Sequence, residues 1–194
     1  HYQRALHIFT EVHGGAADVG TTLSTIGVDE QSVCRNFQQC RRSEDSKWPR
    51  VNHPDVAATL HHLAMVYYSQ GDYPRALDHI QRALTVNREI HGGDNHPDVA
   101  ATLNNLGEVY RHQGDYPRAL DHQKRAHDIY VKVYGGEDHP DVAATLNNLG
   151  VVYQNQGDNP RALEHYERAL KIQLEILGEE HPAVAATLGN MALV

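Results

Sequence analysis

Fifteen histidines and a set of paired asparagines are the residues of this chain best equipped for chemistry. Imidazoles ligate transition metals and titrate near pH 6.5, so a cluster of them could hold an ion or sense acidity. These histidines follow a rule, however. His53, His96 and His139 each open the string His-Pro-Asp-Val-Ala-Ala-Thr-Leu, His181 opens the same string with Ala for Asp, and His79, His122 and His165 recur further along each copy. If repeated helices stack about 8–10 Å apart, equivalent imidazoles cannot share an ion whose bonds to nitrogen are about 2 Å long. His61 and His62 are neighbours that would point about 100° apart on a helix. No metal and no cofactor is therefore expected, and the unit-start histidine is read as a cap or as packing on a loop. Cys34 and Cys40 do not have the short spacing of a zinc pair and read as free thiols. No glycine-rich phosphate loop, Gly-x-Ser-x-Gly or His-Glu-x-x-His is present, so no catalytic residue is assigned and a non-enzyme is expected. The pairs Gly92-Gly93 and Gly135-Gly136 read as helix stop signals.

The repeated histidines lead to the elements that carry them. The unit-start histidines are spaced by 43, 43 and 42 residues, and segments 96–135 and 139–178 share 26 of 40 positions. Each unit is a copied supersecondary element. In 96–138, Pro97 suits a first helical turn and Asp98 favours the positive end of the helix dipole. Val99, Leu103, Leu106 and Tyr110 then follow at helical spacing. Gly114 stops that helix, and Asp115 caps a second with Pro117 in its first turn. Tyr116, Ala119, Leu120, Ala126, Ile129 and Val133 form the second apolar stripe, which Gly135-Gly136 terminates. The spacing predicts two helices of about 16 to 18 residues per unit. Gly107, Ala119 and Ala126 are small enough for close backbone approach. Neither helix can bury its stripe alone, so neighbours must stack into an all-α solenoid. Outside 29–52 no alternating strand pattern is present.

Composition narrows the function. With 17 Lys and Arg against 25 Asp and Glu in 194 residues, the net charge is −8, which argues against a nucleic-acid or anionic-membrane partner. Hydrophobic residues at 40% support a packed core. No apolar run approaches the roughly 18 residues of a membrane span, and no secretory segment opens the chain. Two cysteines point to a reducing compartment and a cytoplasmic location.

Leu106-Gly107-x-x-Tyr110 with Ala119 and Ala126 resembles the tetratricopeptide pattern. It recurs as Leu63-Ala64-x-x-Tyr67 with Ala76 and Ala83, and as Leu149-Gly150-x-x-Tyr153 with Ala162 and Ala169. The ordinary tetratricopeptide period is 34 residues. The longer unit, opening His-Pro-Asp-Val-Ala and containing Leu-Asn-Asn-Leu-Gly, resembles the repeats of kinesin light chains. The resemblance implies helix-turn-helix units stacked in a right-handed superhelix. Residues 53–95, 96–138 and 139–180 are read as three repeats, and 181–194 as the first helix of a further one. Residues 1–15 match a second helix (His1-Tyr2-Gln3-Arg4-Ala5-Leu6 against His165-Tyr166-Glu167-Arg168-Ala169-Leu170). Segment 16–52 is a degenerate repeat in which Ala16-Ala17 replaces His-Pro and the pattern is lost from about Asp29 to Asn52. That stretch holds Trp48 and both cysteines. It reads as a divergent helix that still packs, as a frame error in the gene, or as a functional insert. Both ends cut a repeat, so a longer intact protein is expected, since solenoids need polar caps.

In tetratricopeptide arrays the first helices line a concave groove, and the resemblance implies the same here. Side chains outside the apolar stripe should face it. They are His61, His62, Met65, Tyr68 and Ser69, then Asn104, Asn105, Glu108, Arg111 and His112, then Asn147, Asn148, Val151, Gln154 and Asn155, and finally Asn190. Asparagine is a poor helix former, so paired asparagines in mid-helix need a reason. An amide both donates and accepts, so a row of them could grip the backbone of an extended peptide. Alternatively, they bond between neighbouring helices or to water. Of each adjacent pair only one should point fully into the groove, and Asn105 and Asn148 are favoured. As a family, kinesin light chains bind cargo peptides, some acidic. Here only Arg111 offers a fixed positive charge, against Glu108, which departs from that chemistry. No sustained heptad is present, so attachment to kinesin heavy chain would need regions outside this chain. The leading reading is a non-catalytic scaffold that binds protein or peptide ligands, like a kinesin light chain cargo adaptor. The alternative is the repeat arm of a larger nucleotide-binding signalling protein.

Overall fold

A computed structural model describes residues 54–194. The expectations for 1–15 and 16–52, including Cys34, Cys40 and Trp48, lie outside the described residues. Seven helices follow in order: α1 (Pro54–Ser69), α2 (Tyr73–His91), α3 (Pro97–His112), α4 (Tyr116–Tyr134), α5 (Pro140–Asn155), α6 (Asn159–Leu177) and α7 (Pro182–Met191). First and second helices are 16 and 19 residues long in each complete pair. No strand occurs among the described residues.

The helix ends are set by side chains. Asp72, Asp115 and Asp158 cap the second helices, each accepting from a backbone N–H three residues on, at 3.1, 3.1 and 3.2 Å. The unit-start histidines cap the first helices. Nδ1 of His96, His139 and His181 accepts from the second residue beyond at 3.2, 3.2 and 3.1 Å. This use of Nδ1 as an acceptor accounts for the repeated histidine without a metal. Gly92 and Gly135 stop α2 and α4 in the left-handed region, with φ of 71° and 76°.

Each first helix packs on its own second helix, which packs in turn on the next first helix. Val99, Leu103, Leu106 and Tyr110 of α3 are all buried, as the stripe required, and Ala119, Ala126 and Ile129 face them from α4. Val133 departs from expectation: it is 39% exposed. It lies in the last turn of α4 beside Tyr134, which is also exposed, at 37%. Close approach within a pair rests on Gly107 and Gly150. A Cβ at Gly107 would lie 2.6 Å from Gln123 Cγ, and one at Gly150 would lie 2.5 Å from Tyr166 Cε1.

Among the described residues a buried threonine marks each junction between repeats. Asn87 Nδ2 donates to Thr102 Oγ1 at 3.0 Å, His127 Nδ1 lies 3.1 Å from Thr145 Oγ1, and Thr187 Oγ1 lies 2.8 Å from Gln173 Oε1. Three different polar side chains on the second helices thus satisfy one recurring hydroxyl, as a buried polar group requires.

Candidate interaction face of the first helices

The amides of the first helices form a ladder across the repeats. Asn105 Nδ2 of α3 reaches back to His61 Nδ1 of α1 at 3.4 Å. Asn148 Nδ2 of α5 donates to Asn104 Oδ1 of α3 at 3.0 Å, and Asn190 Nδ2 of α7 donates to Asn147 Oδ1 of α5 at 3.2 Å. The rule is the same at every rung: the first member of a pair bonds forward and the second bonds backward. All five asparagines are half-buried, so neither member of a pair stands free while the other is hidden. Each amide has two donors and two acceptor lone pairs, so one rung leaves part of that capacity unused. His61 takes the place that Asn104 and Asn147 occupy in the later repeats. Burial, followed by the neighbouring charge of His62, pushes its pKa down, which favours the neutral ring able to accept from Asn105.

A second cluster joins α1 to α3. Arg111 and Glu108 form a two-pronged pair, with Arg111 Nε 3.1 Å from Glu108 Oε2 and Nη2 closer still to Oε1. His112 Nε2 lies 3.2 Å from the same carboxylate. Burial, and after it the nearby Glu108 carboxylate, raises the pKa of Tyr68 in the preceding repeat. Burial raises the Glu108 pKa, but Arg111 and then His112 outweigh it and hold the carboxyl below its ordinary value. Tyr68 also meets His112 edge-on at 5.1 Å, and Tyr73 lies 6.0 Å from Tyr68 and 6.3 Å from His112. The sequence pattern does not single out Tyr73, because it opens a second helix rather than lying on a first. The aromatic repeated at Tyr116, one unit on, was the available signal.

The remaining candidates divide. Gln154 turns toward its own second helix and accepts from the Tyr166 hydroxyl at 2.8 Å. Asn155 and His62 are exposed, as is Met65 at 39%. Away from this face, the His91 ring stacks on His96 at 3.3 Å, and His91 Nε2 lies 2.9 Å from Asp98 Oδ2. These three side chains are close enough to be considered as metal ligands. The next junction has the same arrangement with a tyrosine: Tyr134 stacks on His139 at 3.4 Å and its hydroxyl donates to Asp141 at 2.8 Å. A tyrosine doing the same work marks the cluster as a junction contact. The stacked imidazoles are also nearly parallel, at 6°, so their in-plane lone pairs do not converge on one point.

Helix pairs stacked through repeated junctions, with one continuous first-helix face, define an all-α repeat solenoid. The chain belongs to the tetratricopeptide repeat family, whose profile matches residues 55–132, 98–175 and 141–194. Among solved structures, BtubC (BKLC) from P. vanneervenii superposes with a TM-score of 0.70 at 25% identity, over 88% of this chain and 66% of that one. The chain thus spans just under two thirds of BtubC's length. A Podosopora anserina protein with nearly identical TPR-like repeats, provisionally assigned as a kinesin light chain, superposes with a TM-score of 0.62 at 22% identity, over 91% of this chain and 82% of that one. The apo form of RapI gives 0.64 at 18%, over 89% and 60%. The repeats are thus tetratricopeptide-type and kinesin light chain-like. No curated protein sequence matches the chain. Scaffolds of this kind generally bind protein partners and are generally non-catalytic. No described helix is long and apolar enough to cross a membrane.

Proposed function

We propose that the first-helix face of α1, α3, α5 and α7 is a groove that binds an extended segment of a partner protein, in the manner of a kinesin light chain cargo adaptor. The amide ladder carries this reading. It repeats one donor-acceptor unit per helix along a single face, and each half-buried amide keeps hydrogen-bonding capacity beyond its rung. Such a row suits a ligand backbone, whose N–H and C=O groups also recur at regular intervals. His61, His62, Tyr68, Asn104, Asn105, Asn147, Asn148 and Asn155 are assigned to this groove. Gln154 is assigned to its wall, since its acceptor already serves Tyr166.

The test is to select binding peptides from a random display library and compare their affinity for the wild-type chain and an Asn105→Ala, Asn148→Ala double variant. Each lost hydrogen bond should weaken binding by about 0.5–1.5 kcal/mol. The Asn148 rung to Asn104 should also cost stability of similar size, so thermal melting is followed in parallel. A control variant on the outer surface, Lys132→Ala on α4, should leave affinity unchanged. Equal affinity for the double variant and the wild type would overturn the groove reading.

A further inference from the structure

We infer that the groove takes a neutral or basic segment, and that Glu108 enforces this by neutralising the single cation available. This rests on the groove reading above and specifies its ligand.

Arg111 is the only Lys or Arg in α1, α3, α5 and α7. An acidic ligand lying along these helices could find a full positive charge nowhere else on them. That charge is already committed. The Arg111 side chain is 16% exposed and faces Glu108 in a two-pronged pair, the strongest geometry a guanidinium offers a carboxylate. Glu108 also lies 3.2 Å from His112 Nε2, and Tyr68 of the preceding repeat packs edge-on against that imidazole. Rotating Arg111 toward a ligand carboxylate would leave Glu108 half-buried without its guanidinium and near a second negative charge, which opposes the exchange. The neighbouring repeats confirm that a charge here is a local feature. The position of Glu108 is Met65 in the preceding repeat and Val151 in the following one, and that of Arg111 is Tyr68 and Gln154. The rest of the face is amide, imidazole, phenol and thioether, which recognise backbone, aromatic and apolar groups. The whole chain carries a net charge of −8, which further disfavours an acidic segment and attracts a basic one.

The experiment pans a random decapeptide display library on the full chain, on Glu108→Gln and on Arg111→Gln, with thermal melting of all three to verify folding. The wild-type pool should be depleted in Asp and Glu relative to the input library. Glu108→Gln frees the guanidinium, and its affinity for acidic members of the pool should rise about tenfold, the order of one charge-assisted hydrogen bond. Arg111→Gln should gain no acidic preference, which keeps the test decisive if Glu108→Gln folds poorly. A wild-type pool enriched in acidic peptides would overturn the inference and leave the groove standing. A pool whose binding is unaffected by the asparagine substitutions would overturn the groove and this inference with it.

Discussion

Gln123 occupies the position held by Ile80 and Tyr166 in the adjacent repeats. It is fully buried between α3 and α4, and neither its amide nitrogen nor its oxygen has a hydrogen-bond partner among the protein groups. A buried amide left unpaired costs stability that an apolar group of similar size would not. Gln123→Leu is expected to stabilise the chain by about 1 kcal/mol, read as an upward shift of a urea or thermal midpoint. A downward shift would show that the amide has a partner in solution. Tyr166 solves the same problem differently, sending its hydroxyl out to Gln154 at 2.8 Å. The asparagine pairs show why residue type alone misleads. Their helical disfavour signalled a purpose, but the same amide chemistry serves a ligand or a neighbouring helix, and here a neighbour already takes one bond from each rung.

Close packing within a helix pair depends on a residue without a side chain at one first-helix position. Gly→Ala in a helix ordinarily gains up to about 1 kcal/mol of propensity. At Gly150 the new methyl would lie 2.5 Å from the ring of Tyr166, which is fully buried and cannot retreat. At Gly107 it would meet the flexible Cγ of Gln123 at 2.6 Å and the Ala119 carbonyl at 3.1 Å. Overpacking of this kind costs about 1–3 kcal/mol. Gly150→Ala should therefore destabilise clearly, and Gly107→Ala should fall nearer neutral. Denaturant midpoints of the two variants check the order, and equal effects would contradict it. The natural control is α1, which carries Ala64 at this position opposite Ile80, a smaller side chain than Tyr166.

Repetition turns small local effects into a property of the array. His79, His122 and His165 stack on Tyr67, Tyr110 and Tyr153 at 5.2, 5.3 and 5.3 Å. Burial depresses the pKa values of His122 and His165, and also of His61 and His127. Nδ1 of both His122 and His165 is buried without a hydrogen-bond partner, so a proton there would have nowhere to go. With folded values below the unfolded 6.5, the unfolded chain binds more protons as the pH falls through 6.5. Stability should therefore be full above pH 7 and decline toward pH 5. The carboxylates of Asp72, Asp115 and Glu108 are also depressed, but their contributions are lost only below their ordinary values of 3.8 and 4.5. A His122→Phe, His165→Phe double variant keeps a ring against each tyrosine and should flatten the melting temperature between pH 7.5 and 5. An unchanged decline would assign the effect to other groups.

The stacked helix pairs were legible in the sequence because each is a local matter. Helical spacing of Val99, Leu103, Leu106 and Tyr110, the Asp115 cap and the Gly135 stop act within one or two turns, and a copied unit repeats the same instructions. The unit-start histidine was legible as a cap for the same reason. The destination of each asparagine amide and the packing of Tyr68 on His112 were not legible in this way. They depend on distances between helices some 40 residues apart in the chain, which only the stacking of the repeats creates. Periodicity identifies which residues share the first-helix face. The spacing of neighbouring helices decides which of their hydrogen bonds are already made, and so which chemistry is left for a partner.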